Sequence, residues 1–253
     1  MDELIVEGKA TANILNDINE KIAGYLSFKD IIIDDDYLEV FSDSVTVIRA
    51  ISSTYKLISK KRLACFLKGL NLKEEPSFEQ LCKLYDYIDS EEKAEFISDN
   101  ITKVLTANSK KSAFLLGVVI HRLINSKVNL TYKELICANA LSSFYDFDID
   151  NIMALSNYVK YLKSARKKRF SGWFDIYNSF SRWRKDKGID LDKSHILTVE
   201  KCVTAQILIR DIEVELDIDE DSPGSASATN SESFKFTEAG ELLLDNLKYL
   251  EDL

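Results

Sequence analysis

Between residues 160 and 187 the chain carries ten lysines and arginines against two aspartates, Asp175 and Asp186, a net charge of +8. Trp173, Phe174, Tyr177, Phe180 and Trp183 are interleaved with them. Ammonium and guanidinium groups neutralise phosphates and release their counterions, and aromatic faces stack on unpaired bases. This segment is therefore the strongest candidate for a contact with an acidic partner. The expected contact residues are Lys163, Arg166, Lys167, Lys168, Arg169, Trp173, Arg182, Trp183, Arg184 and Lys185. Three readings stay open for it. The aromatics, at spacings of three and four, can build core while the cations stay solvated. The segment can meet an acidic protein or the chain's own acidic tail. It can also bind nucleic acid.

The other chemistry-bearing clusters are incomplete. Asp146, Asp148 and Asp150 resemble the opening of a calcium loop, but the sixth position is Asn151 and the twelfth Asn157. The glycine and the bidentate glutamate are missing, so these aspartates read as helix caps. Asp217, Asp219 and Asp221 fail the same test at Ala228. Asp34, Asp35 and Asp36 read as a helix start, where negative charge suits the dipole. His121 sits in the most apolar stretch and reads as a packed or hydrogen-bonded histidine. His195, after Ser194, reads as part of a helix start. Neither stands at a known nucleophile spacing. The motifs of phosphate loops, dinucleotide folds, serine hydrolases and zinc proteases do not occur. No catalytic residue, cofactor or metal site is expected.

Four cysteines, Cys65, Cys82, Cys137 and Cys202, lie far apart among apolar neighbours. They read as free buried thiols in a reducing compartment. Met1, Asp2, Glu3 and Leu4 do not open a signal peptide, and the longest apolar run, Ala113 to Ile120, is far short of the roughly 20 residues of a membrane span. A cytoplasmic location is expected. The stripe from Leu38 to Leu70, ending near Lys60, Lys61 and Arg62, is amphipathic enough for a membrane surface and is read as core instead.

The elements that must position these residues are mostly helices. Glycine and proline total 10 of 253 residues, about 4% against an average near 12%. So few turn formers argue against an all-β fold. Ile14, Leu15, Ile18, Ile22 and Leu26 make one helical stripe. Leu63, Phe66, Leu67 and Leu70 continue a second, stopped near Gly69 to Asn71. Capping spacings occur at Ser77 with Gln80, Asp89 with Glu92, and Thr131 with Glu134. Phe114 to Ile124 is apolar on more than one face and reads as the central buried helix. Asp148 or Asp150 is expected to cap a helix through Ile152, Leu155, Tyr158, Val159 and Leu162. Phe170, Trp173, Phe174, Tyr177 and Phe180 read as an aromatic helix face.

Ile212 to Ile218 alternates strictly and reads as a half-buried strand. A polar stretch with Pro223 and Gly224 follows, then a returning strand at Phe234, Lys235 and Phe236. Thr237 with Glu238 opens a last helix. From Val199 to Arg210 and from Phe236 to Leu247 the chain resembles the second half of a bacterial winged-helix domain. The matching features are the Leu208, Ile209, Arg210 step and the Thr237, Glu238, Ala239, Gly240 helix start. The glycine usual before that step is replaced by Gln206 and Ile207. The resemblance implies a recognition helix and a wing. This wing, however, belongs to a tail (211–253) with 13 acidic and 2 basic residues, net −11. Phosphate repulsion there favours protein contact over DNA.

The expectation is a mainly α fold: an irregular helical bundle over 1–165, then a basic-aromatic helix with a winged-helix-like α+β module over 166–253. The expected role is a non-catalytic binding protein that docks on a protein which itself handles nucleic acid. The lean to Lys, Ile, Asn, Ser and Asp matches AT-rich coding and points to a prophage or antiviral-defence setting, such as blocking a competing phage. The competing expectation is a DNA-binding transcriptional regulator.

Overall fold

The computed structural model describes residues 14, 17–26, 54–71, 78–126, 129–166, 170–189, 194–218 and 226–252. Leu38 to Ile51 of the stripe expected from Leu38 to Leu70, the Asp34 to Asp36 start, the Ser77 cap and Lys167, Lys168 and Arg169 lie outside these. The fold is mainly α, with one two-stranded antiparallel sheet among the described residues. The chain divides into two compact units, one of 1–149 with 246–253, the other of 150–245. The boundary read at 165/166 lies inside the second unit.

In the first unit, α1 (17–26) is followed by α2 (Thr54–Asn71), α3 (Phe78–Tyr87), α4 (Glu91–Thr106), α5 (Lys110–Ser126) and α6 (Tyr132–Ser143). The apolar run predicts the centre correctly. Helix α5 buries residues on every side and contacts α2, α3, α4 and α6. Burying each large side chain there contributes roughly 1.5–3 kcal/mol. Gly69 does not end α2. It lies inside the helix against α5, where a Cβ would stand 2.0 Å from the Phe114 carbonyl oxygen.

Caps follow the expected chemistry with local shifts. The Thr131 backbone N–H donates to Glu134 Oε2 at 3.0 Å, completing the box that opens α6. Helix α4 is capped by Ser90, which accepts from Lys93 N, and not by Asp89. Asp89 pairs instead with Lys93 at 2.8 Å. Helix α7 (Asp146–Arg166) starts earlier than Asp148. The buried Asp148 carboxylate accepts from the Tyr145 N–H at 2.9 Å, and Asp146 accepts from Lys111 N at the start of α5. These aspartates are caps. His121 Nδ1 donates to the Leu70 carbonyl at 2.7 Å.

The second unit begins within α7, which buries Ile152, Leu155, Tyr158, Val159 and Leu162. A π-helical turn (Ile176–Phe180), α8 (Ser181–Asp186) and α9 (Ser194–Thr204) follow. Strands β1 (Leu208–Ile218) and β2 (Ala226–Phe236) pair from Leu208 opposite Phe236 to Ile218 opposite Ala226. Helix α10 (Glu238–Leu247) follows, and a 3-10 turn (Lys248–Asp252) comes after it. The aromatic face expected from Phe170 to Phe180 is not one helix. Gly172 takes φ +94°, the chain runs extended, and Phe174 makes an isolated antiparallel bridge to Phe234. A left-handed residue stops helix propagation, so the three-and-four spacing serves two different local structures.

Gln206 has φ +59°, a left-handed conformation that favours glycine. The turn is held by Thr237, whose hydroxyl donates to the Gln206 carbonyl at 2.7 Å and accepts from Gly240 N at 3.0 Å. A Cβ on Gly240 would lie 2.2 Å from the Ile207 carbonyl oxygen. The Thr237-to-Gly240 spacing thus has a local cause: the hydroxyl ties the turn, and the missing side chain lets α10 approach it.

Candidate functional site

Two surfaces of the second unit carry the residues of interest. The first is formed by α9 and the hairpin. Antiparallel pairing puts opposed residues on one face, and successive residues alternate between faces. Leu208, Arg210, Ile212 and Val214 therefore share a face with Phe236, Phe234, Glu232 and Asn230. At the ribbon's base this face is core, with Leu208, Phe234 and Phe236 buried. Further out it is open: Ile212 is 53% and Val214 59% exposed. Ile212 to Val214, which open the segment read as half-buried, are exposed. Each strand has eleven residues.

Arg210 sits where core gives way to open ribbon. It pairs with Glu200 of α9, lies 3.9 Å from Glu232 Oε2, and stacks 5.5 Å from the Phe234 ring centre. Tyr177 of the π-helical turn donates to the same Glu232 oxygen at 3.1 Å. Burial and that acceptor push the Tyr177 phenol above its ordinary pKa. One turn before Glu200, Leu197 is 70% exposed. The network thus leads from an exposed leucine on α9, through carboxylates and a neutralised guanidinium, to two exposed β-branched residues.

The opposite face of the ribbon carries Ile209, Asp211 and Glu213, with Lys235 opposite Ile209, all exposed.

The second surface is the basic-aromatic segment. The expected contact residues separate there. Trp183 is buried among Tyr158, Tyr161 and Phe180, with ring centres 5.4, 6.3 and 5.9 Å away, and the buried His195 ring lies 5.8 Å from Phe180. Its indole is interior and is not presented for stacking. Trp173 is half-buried, with Lys235 Nζ 6.0 Å from its ring centre. Arg184 is half-buried, with Nη1 3.4 Å from His195 Nδ1. Lys163 is exposed and lies 3.7 Å from Glu241 of α10. Arg166 ends α7. Arg182 and Lys185 are exposed on α8, and Lys187 follows them.

The tail and the basic segment touch within this unit. The contacts are Lys163 with Glu241, Tyr177 with Glu232, and the Phe174–Phe234 bridge. Leu197, Ile212 and Val214 were not among the expected contact residues. The signal for Ile212 and Val214 was present in the alternation of 212–218, but alternation does not say which residues a neighbour covers.

Among the described residues no group of three or more His, Cys, Asp or Glu is placed to hold a metal ion. No described helix is long and apolar enough to cross a membrane. Compared with known families, curated proteins and solved structures, the chain matches none.

Proposed function

We propose that the chain is a non-catalytic binding protein whose second unit is a winged-helix-like module used for protein contact. The element order supports the winged-helix reading: helix, bridging residue, two helices, two strands, helix. The observation that carries the protein-contact reading is the composition of the α9 and hairpin face. A DNA reader would present cations and amides there. This face presents Leu197, Ile212 and Val214 in the open, with Glu200 and Glu232 on either side of Arg210. Such a mixture suits an apolar protein surface with a polar rim. The partner proposed is a protein that itself handles nucleic acid. The proposed setting is phage–host conflict, which rests on the residue bias alone.

The test is capture of partners from native cells by the tagged protein, with and without nuclease, beside an Ile212→Ser/Val214→Ser variant. A protein retained after nuclease and lost from the variant is the expected result. Partners that vanish with nuclease and persist in the variant would overturn the reading. The regulator reading has one observation in its favour, the exposed Arg182, Lys185 and Lys187. A salt-sensitive shift of duplex DNA, abolished by Arg182→Glu/Lys185→Glu, would put it ahead.

A further inference from the structure

Two sets of opposite charge are left over in the second unit. On the odd-numbered face of the ribbon, Asp211 and Glu213 are exposed and make no ion pair among the described residues. They flank Ile209, which is 45% exposed. On and just after α8, Arg182, Lys185 and Lys187 are exposed and likewise make no ion pair among the described residues. The Tyr161 ring, 47% exposed, rests on Trp183, the residue between Arg182 and Arg184 on the same helix. Lys235, opposite Ile209 on the ribbon face, lies over the Trp173 ring and leaves that patch acidic, so the two patches are opposite in sign and each has an apolar member.

The fold does not bring them together within one copy. Tail and basic segment meet instead through Lys163 with Glu241 and Tyr177 with Glu232. A polyphosphate would satisfy the cations alone and would meet repulsion from a tail of net charge −11. A second copy satisfies both patches at once, because a two-fold axis applies each contact twice.

We propose that two copies of the chain associate about a two-fold axis, the Ile209, Asp211 and Glu213 face of each ribbon lying on the Tyr161, Arg182 and Lys185 face of the other. This contact uses the face of the ribbon opposite Ile212 and Val214, so it leaves the surface proposed for a foreign partner open. It goes beyond that reading and does not depend on it.

Charge exchange tests the proposal. One variant carries Asp211→Lys/Glu213→Lys, the other Arg182→Glu/Lys185→Glu, and mass is read by sedimentation in the full-length chain. Wild type is expected at twice 28.8 kDa at low salt. Its association is expected to weaken by about tenfold or more as salt shortens the Debye length. Each variant alone is expected as a monomer, since like charges then face each other. An equimolar mixture is expected to regain the dimer mass, because each reversed patch meets its complement. That recovery also shows that both variants are folded. Wild type that stays monomeric at every salt concentration overturns the proposal. So does a variant that dimerises alone, or a mixture that stays monomeric. If wild type is monomeric and shifts nucleic acid in a manner lost from Arg182→Glu/Lys185→Glu, the cations belong to nucleic acid instead. Loss of partner capture in Ile212→Ser/Val214→Ser leaves these masses unchanged, so the two readings fail separately.

Discussion

Phe174 and Phe234 exchange both backbone hydrogen bonds, each 2.9 Å long. This bridge fastens the basic-aromatic segment to the base of the ribbon, sixty residues later in the chain. Both rings are buried, and Phe174 also packs on Tyr158 and Phe236, with ring centres 6.3 and 5.6 Å away. Phe174→Ala is expected to cost about 3–5 kcal/mol by chemical denaturation. Amide exchange at Phe234 is expected to quicken with it. A loss of only about 0.5 kcal/mol, the scale of a surface substitution, would mean the bridge does not hold the ribbon.

Gln206 and Gly240 predict opposite effects on one turn. Gln206 holds φ +59° without being glycine. A left-handed residue with a Cβ costs roughly 1–2 kcal/mol, and glycine loses part of that gain through its freer unfolded chain. Gln206→Gly is expected to raise the melting temperature by a few degrees. Gly240→Ala is expected to lower stability by about 1–3 kcal/mol, because its Cβ must push the Ile207 carbonyl away. Thermal melts of the two variants check both signs.

Asp175 predicts a pH dependence. Burial raises its pKa, but hydrogen bonds from the Ser179, Asn178 and Tyr177 N–H groups outweigh this and leave it below the ordinary value. A carboxyl with a depressed folded pKa adds stability that is full above the unfolded value of about 3.9. That stability is lost as pH falls through the folded value. Asp175→Asn is expected to melt below wild type at neutral pH, and the gap is expected to close in acid. A gap that is constant with pH would show that the charge of this cap contributes nothing.

Gly117 tests the first unit. Its Cβ would stand 2.1 Å from the Phe66 carbonyl oxygen, the counterpart of Gly69 against Phe114. Backbone of α2 and α5 meets there without side chains between. Gly117→Ala is expected to cost at least about 1–3 kcal/mol, since two helices must part. Denaturant melts with unfolding followed in each unit should place the loss in 1–149.

Thiol labelling separates the cysteines. Cys137 is fully buried, and burial with the nearby Glu134 pushes its thiol up to about 12. Cys202 is buried as well, whereas Cys65 and Cys82 are half-buried. Cys137 and Cys202 are expected to react only on unfolding, because the thiolate is the reacting form and the reagent must reach it. Fast native labelling at Cys137 would contradict the packing of α6.

What the sequence alone determined were the features with local causes. Helical stripes, the Thr131 with Glu134 box, the apolar centre of α5 and the two hairpin strands follow from periodicity and capping, which a short window contains. The turn from Gln206 to Gly240 was half legible, since the Thr237 and Gly240 spacing stood in the chain while the left-handed Gln206 did not. The tertiary structure alone decided where those stripes lie. Gly69 reads as a helix stop until Gly117 is set against it. Trp183 reads as a contact residue until Tyr158 and Phe180 enclose it. Ile212 and Val214 read as one face of a half-buried strand, and the structure leaves both exposed. Burial depends on which distant surfaces meet, and a side-chain period records only which residues share a face.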